Sequence, residues 1–167
     1  MVDSLQVEIR PASHGDLPGM EWEGEYRHFR RLYRAAYHDA CEGRKMILLA
    51  EQVGRVVGQL IVQFGTDLAC LQNTGQTGYL YSLRVREGCR GQGVGSRLIE
   101  TGEGVLRERE YPQAAIAAAK DNPRARLLYE RLGYAVVGED PGLWSYLDDR
   151  GKVRTVSEPA FILAKRL

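Results

Sequence analysis

The chain has almost no net charge, with 23 lysines and arginines against 22 aspartates and glutamates, or +1 over 167 residues. Proteins that hold nucleic acid by its phosphates need a basic excess, so no nucleic-acid partner is expected. Cysteine is scarce. Cys41, Cys70 and Cys89 are odd in number, far apart and without C-x-x-C or His-paired spacing. That argues against a disulfide framework and against zinc; reduced thiols and no metal are expected. No apolar run is long enough to span a bilayer, and the opening MVDSLQVEIR carries acidic and polar residues where a secretory leader needs a basic patch and then an apolar stretch. No membrane partner is expected, and the cytoplasm is the expected location. Repeats, low-complexity tracts and linkers are also lacking, so residues 1–167 read as a single domain, long enough to bury a core without covalent staples.

What is present is the composition of a globular protein, 44% hydrophobic and 27% charged. Residues 5–10 alternate as a strand ending at Pro11, and Ser13 to Asp16 supply capping chemistry for a following helix. The residues Trp22, Tyr26, Phe29, Tyr33, Ala36, Tyr37 and Ala40 recur at spacings of three and four and predict an amphipathic helix over 22–40. Two β-rich runs, 45–51 and 56–64, read as a hairpin, and 65–78 as a loop. A strand over 79–85 then leads through glycines into a helix at about 93–110, where Val94, Leu98, Gly102, Val105 and Leu106 share a face. The run QAAIAAA, 113–119, has helical propensity, but its place between two helices predicts a buried strand. Asn122 as N-cap, Pro123 in the first turn and Gly133 at the end punctuate a short helix. Three strands are expected from Tyr134 onward, with Asp148 to Gly151 turning between the last two.

A strand, a glycine-rich loop and a helix N-terminus concentrate backbone N–H donors at the positive end of a helix dipole. Arg90-Gly91-Gln92-Gly93-Val94-Gly95 has that form, and Arg90 can add charge for phosphate. A ligand-free strand-to-helix turn would look the same. Neither nucleotide loop is expected: Ser96-Arg97 follows Gly95 where a Walker loop requires Lys-Ser/Thr, and the glycine intervals do not fit a dinucleotide fingerprint.

Leu83-Arg84-Val85 followed by Arg90 to Gly95 resembles the acetyl-CoA pyrophosphate signature of the GNAT acetyltransferases, Arg/Gln-x-x-Gly-x-Gly/Ala. Downstream, Asn122 to Tyr134 resembles the family's second signature, Asn-x-x-Ala-x-x-Leu-Tyr-x-x-x-Gly-Phe/Tyr. The resemblance covers about 45–138 and implies an α/β fold with a mixed, largely antiparallel central sheet flanked by helices, splitting between the strands at 79–85 and 113–119 to admit acetyl-CoA. It further implies that Leu83 and Val85 align the pantetheine arm through their backbones, with an N–H near Leu83 facing the thioester oxygen. Arg90, Gly91, Gln92, Gly93, Val94, Gly95 and Ser96 would hold the pyrophosphate. Asn122 would hydrogen-bond the cofactor arm, and Tyr129, the catalytic candidate, would point its hydroxyl at the sulfur.

The resemblance implies acetyl transfer to a primary amine by direct attack in a ternary complex. A non-catalytic acyl-CoA-binding module and a transferase for longer acyl chains are the rival readings. The strand position where the family often has an acid carries Tyr81 and Ser82, and Glu87 stands where proline is common. Glu21, Glu23, Glu25 and His28 are the substitutes considered for the base, although solvated surface positions suit them as well. Trp144 and Tyr146 share a strand face that either packs or lines an acceptor pocket. The basic cluster Arg27 to Arg34 lies among acids and reads as a mixed-charge surface. An amine acceptor, small molecule or protein, and a second copy in a homodimer are the partners considered.

Overall fold

A computed structural model of the chain describes residues 6–71 and 76–167. Leu5 of the expected first strand and 72–75 of the expected loop lie outside them. The strands are β1 (Glu8–Pro11), β2 (Lys45–Gln52), β3 (Arg55–Gln63), β4 (Thr77–Val85), β5 (Gln113–Ala119), β6 (Ala135–Asp140), β7 (Leu143–Leu147), β8 (Val153–Ser157) and β9 (Ala160–Arg166). The α-helices are α1 (Arg30–Cys41), α2 (Val94–Glu108) and α3 (Pro123–Arg131). Seven strands form one sheet in the order β1-β2-β3-β4-β5-β9-β6, and β7 and β8 form a separate ribbon. Among the described residues only β4 and β5 pair in parallel; β1–β2, β2–β3, β3–β4, β5–β9 and β6–β9 are antiparallel.

Strand alternation distributes the core to both faces of the sheet. Leu48, Ala50, Leu60 and Val62 pack with Leu98, Ile99 and Leu106 of α2, while Ile47, Leu49 and Ile61 pack with Tyr33 and Ala36 of α1. The alanine-rich run 113–119 is the central strand β5, paired with β9 along its whole length from Gln113↔Arg166 to Ala119↔Ala160. Burial between neighbours on both edges overrides its helical propensity.

The predicted helix over 22–40 is corrected: α1 begins only at Arg30. Trp22, Glu23 and Gly24 have φ of 47°, 56° and 100°, so the chain turns back on itself before a short 3-10 turn, Arg27–Phe29. The aromatic stripe is nevertheless real, because Trp22, Tyr26, Phe29 and Tyr33 all gather around Arg84. The helix expected after Ser13 is a 3-10 helix, His14–Glu21, containing Pro18, whose missing N–H would interrupt an α-helix.

The tail is corrected as well, from three strands to four. Gly142, at φ +64°, donates its N–H to the Asp140 carboxylate, and this turn separates β6 from β7. A Cβ at Gly142 would stand 1.9 Å from the Glu158 carbonyl oxygen, so no other residue fits the turn. The turn at Asp148 to Gly151 joins β7 to β8, not the last two strands: the Asp148 carboxylate accepts the N–H groups of Arg150 and Lys152.

Between β4 and β5 the sheet opens. The strands pair only from Thr77↔Gln113 to Leu80↔Ile116, although they continue to Val85 and Ala119. On the other edge of β4, Tyr81 lies opposite Ile61 and Arg84 opposite Gln59, so Ser82 and Leu83 together oppose Leu60. Ser82 adopts φ +54°. This β-bulge bends β4 away from β5, and the buried Gln59 donates its side-chain N–H to the Ser82 carbonyl across 3.3 Å.

Candidate active site

The wedge between β4 and β5 contains a cavity of about 670 Å³. Leu83, Asn122 and Tyr129 line it, with Tyr79, Tyr81 and Ser82. The edge of β4 facing the wedge can be identified from its pairing. The Arg86 N–H donates to the Val57 carbonyl at 2.8 Å, toward β3. Main-chain groups alternate along an extended strand, so those of Val85 and Leu83 turn to the opposite edge, which β5 has left. The Val85 carbonyl there accepts Arg90 Nε at 2.9 Å. Arg90 therefore braces the loop with one nitrogen, and only the remaining guanidinium N–H groups are left for a phosphate.

Gly91 and Gly93 have φ of +72° and +80°, and a Cβ built at either meets no atom within 4 Å. The glycines thus face open space in a conformation that L side chains resist. Gly93 is the N-cap of α2 and carries no side-chain cap. The Arg97 N–H is bonded to the Gly93 carbonyl at 3.0 Å, so the N–H groups of Val94, Gly95 and Ser96 precede the intrahelical ladder. The Val94 side chain is buried, leaving its backbone as the binding group, and Gln92 is tied to the Gly88 carbonyl. A Cβ on Gly95 would lie 3.8 Å from both Leu128 and Val85, which sets α2 close against α3 and β4. Gly93→Ala should lower stability by roughly 1–2 kcal/mol, since an L residue resists the left-handed region. Chemical denaturation checks this, and an unchanged midpoint would show that the turn relaxes to another conformation.

Asn122 caps α3, its Oδ1 accepting the Ala125 N–H at 3.2 Å. This leaves the two N–H donors of the same amide for other partners. Tyr129 is 6% exposed, and burial pushes its hydroxyl up to about 12. Tyr79 is likewise pushed up to about 12, by burial first and then by Asp140 and its other acidic neighbours. Both phenols are neutral at physiological pH.

None of the four base candidates lines the cavity. Glu21 is held by Arg30 through two hydrogen bonds of 2.7 and 3.0 Å, and Glu23 by Arg86. Glu25 lines a smaller recess beside Cys89 and Arg90, while the His28 ring packs 4.2 Å from that of Phe29. Their proximity in sequence to an expected helix did not survive the reversal at Trp22 to Gly24. The acids that do line the cavity are Asp140 and Glu158, which flank the β7–β8 ribbon, and Arg84 contributes a cation. Each acid precedes a proline and reads in sequence only as a turn residue. Trp144 lines the cavity, whereas Tyr146 packs on Phe29 at 5.2 Å. Arg27 and Arg30 pair with Asp149 and Glu21, as expected of a mixed-charge surface. Among the described residues no group of three His, Cys, Asp or Glu side chains could hold a metal ion, and no helix is long and apolar enough to cross a membrane.

The acetyltransferase (GNAT) family model matches residues 12–134, which includes the bulged strand, the glycine loop and the capped helix. The chain belongs to the GNAT acetyltransferase family. Solved structures share this GNAT fold across nearly their full length. The ribosomal-protein-S18-alanine N-acetyltransferase of Escherichia coli superposes with a TM-score of 0.70 at 19% identity, over 96% of this chain and 94% of that one. Arabidopsis thaliana NAA60 in complex with acetyl-CoA gives 0.73 at 16% identity, over 97% and 99%. An N-acetyltransferase from Staphylococcus aureus Mu50 gives 0.72 at 15%, over 96% and 98%. No curated protein sequence matches this GNAT chain.

Proposed function

We propose that this domain, residues 1–167, transfers an acetyl group from acetyl-CoA to a primary amine by direct attack in a ternary complex, in the cytoplasm. The observation that carries the reading is the wedge itself. Leu83, Asn122 and Tyr129 line one cavity, and the helix that follows the glycine loop begins without a side-chain cap. The open space at Gly91 and Gly93 fits a pyrophosphate drawn close to the backbone.

Bound acetyl-CoA supplies an activated acyl carbonyl and a thiol leaving group. Leu83 and Val85 hold the arm along the free edge of β4, and the Leu83 N–H is the oxyanion donor. Tyr129 keeps its phenolic proton and offers it to the departing sulfur. The acceptor must arrive at the carbonyl as a neutral amine, whereas an alkylammonium with a pKa of about 10.4 costs roughly 4 kcal/mol to deprotonate at neutral pH. Asp140 and Glu158 are the carboxylates in the cavity that can take this proton, directly or through water. Their presence weighs against a non-catalytic binding module, whose main support was the lack of an acid at Tyr81 and Ser82.

The test is thiol release from acetyl-CoA across a panel of amines, with longer acyl thioesters alongside. Acceptor-dependent release is expected. Tight acetyl-CoA binding without it, for every amine, would replace the enzyme reading with the binding module.

A further inference from the structure

Arg84 is a cation without a counter-charge. Its guanidinium carbon lies 3.5 Å from the centroid of the Tyr26 ring, 5.4 Å from those of Trp22 and Tyr33, and 6.0 Å from Phe29. Nη2 donates to the Tyr33 hydroxyl. Nη1 is buried and has no hydrogen-bond partner. Among the described residues no carboxylate stands within ion-pair distance, and Glu25 acts on Arg84 only through space. A desolvated cation and a buried unsatisfied N–H are both costly, and aromatic faces offset only part of that cost. Sheet packing does not require such a residue, since the position faces aromatic rings that an apolar side chain would also fill.

Arg84 and Tyr33 belong to the wall of the same cavity that holds Asp140 and Glu158. That cavity therefore carries one cation, which lacks an anion, together with two acids. We infer that the acceptor is itself zwitterionic, a free amino acid or similar amine that also bears a carboxylate, with the carboxylate recognised by Arg84 and the Tyr33 hydroxyl and the ammonium drawn to Asp140 and Glu158. The site is then specific for a charge pair: an amine lacking the carboxylate leaves Arg84 uncompensated, and a carboxylate lacking the amine leaves the acids without a partner. The aromatic walls favour an apolar body between the two groups. This inference rests on the acetyl-transfer reading for its reaction, though not for its binding chemistry.

The experiment compares amino acids with their carboxamides, which keep the amine and the side chain but lose the anion. In the wild-type protein, kcat/KM for thiol release should be roughly ten- to a hundredfold higher for the acid than for its amide, the scale of a hydrogen-bonded charge pair. Calorimetry without acetyl-CoA should show the same order of binding. In Arg84→Gln the acid-to-amide ratio should fall to within about threefold of unity, whereas Arg84→Lys should keep part of the preference because it keeps the charge. Thermal unfolding of each variant shows whether it folds, and the wild-type comparison stands without them. Equal or better use of the amides overturns the inference and leaves the acetyl-transfer reading in place. Preferential binding of the acids with no thiol release from any amine does the reverse: the site stands and the enzyme reading falls.

Discussion

Replacing Tyr129 with phenylalanine is expected to lower kcat about a hundredfold while leaving KM for acetyl-CoA within about threefold, the range in which a positioned proton donor contributes. The side chain is 6% exposed and its ring stands edge-on to Tyr134, with centroids 6.4 Å apart, so phenylalanine preserves the packing and removes only the hydroxyl. Burial holds the tyrosine up to about 12. The donor form is therefore present below that value and lost above it, and the wild-type kcat should show no loss from this group up to about pH 10. The same shift sharpens the role. A phenol near 12 facing a thiol of ordinary pKa, about 8.5, makes full proton transfer uphill by roughly 5 kcal/mol, so hydrogen bonding to the nascent thiolate is the main contribution unless the thiol is also raised by desolvation. Steady-state kinetics with a saturating acceptor decide the matter. Parallel losses in kcat and in acetyl-CoA affinity would make Tyr129 a binding residue instead.

The parts of the site that were legible in the sequence are those made by contiguous residues. Gly91 and Gly93 lie where the chain needs left-handed backbone, and Asn122 and Pro123 sit at the start of a helix because capping is local chemistry. Tyr129 is singled out by the resemblance of Asn122 to Tyr134 to the family's second signature, and it lines the cavity. The run 113–119 was legible from its neighbours rather than its own propensity. By contrast, Arg84, Asp140 and Glu158 meet only because β4 bulges at Ser82 and because β9 inserts between β5 and β6. Neither event leaves a local signature. A bulge is a matter of register between β3 and β4, and strand insertion is a matter of order in the sheet.

The aromatic stripe from Trp22 to Ala40 misled for an instructive reason. Spacings of three and four arise from any arrangement that brings every third or fourth ring to one side, and here the left-handed residues at Trp22 to Gly24 fold the first rings over Arg84 instead of along a helix. The four carboxylate and histidine base candidates depended on that helix. With the helix shortened to Arg30–Cys41 none of them lines the cavity, whereas Asp140 at the end of β6 and Glu158 just after β8 do.

Glu103→Ala is expected to destabilise the fold by about 3 kcal/mol, or roughly 6–12 °C in Tm for a chain of this length. Glu103 lies on the buried face of α2 and is 2% exposed. Its carboxylate accepts the Tyr134 hydroxyl at 2.9 Å and both N–H···O contacts of Lys165 at 3.0 Å, with Arg107 one turn further at 3.5 Å. The cluster ties α2 to β9 and to Tyr134, which follows the Leu132-Gly133 end of α3, so it links α2 to the chain leaving α3. Removing the carboxylate strands a half-buried ammonium and a buried hydroxyl, which costs more than the pair gains when intact. The sign of the double variant separates these effects. Glu103→Met combined with Lys165→Met should recover much of the loss, because it removes both charges and adds apolar volume. Chemical denaturation of the single and double variants measures this coupling. Additive losses would show that Glu103 acts by packing alone.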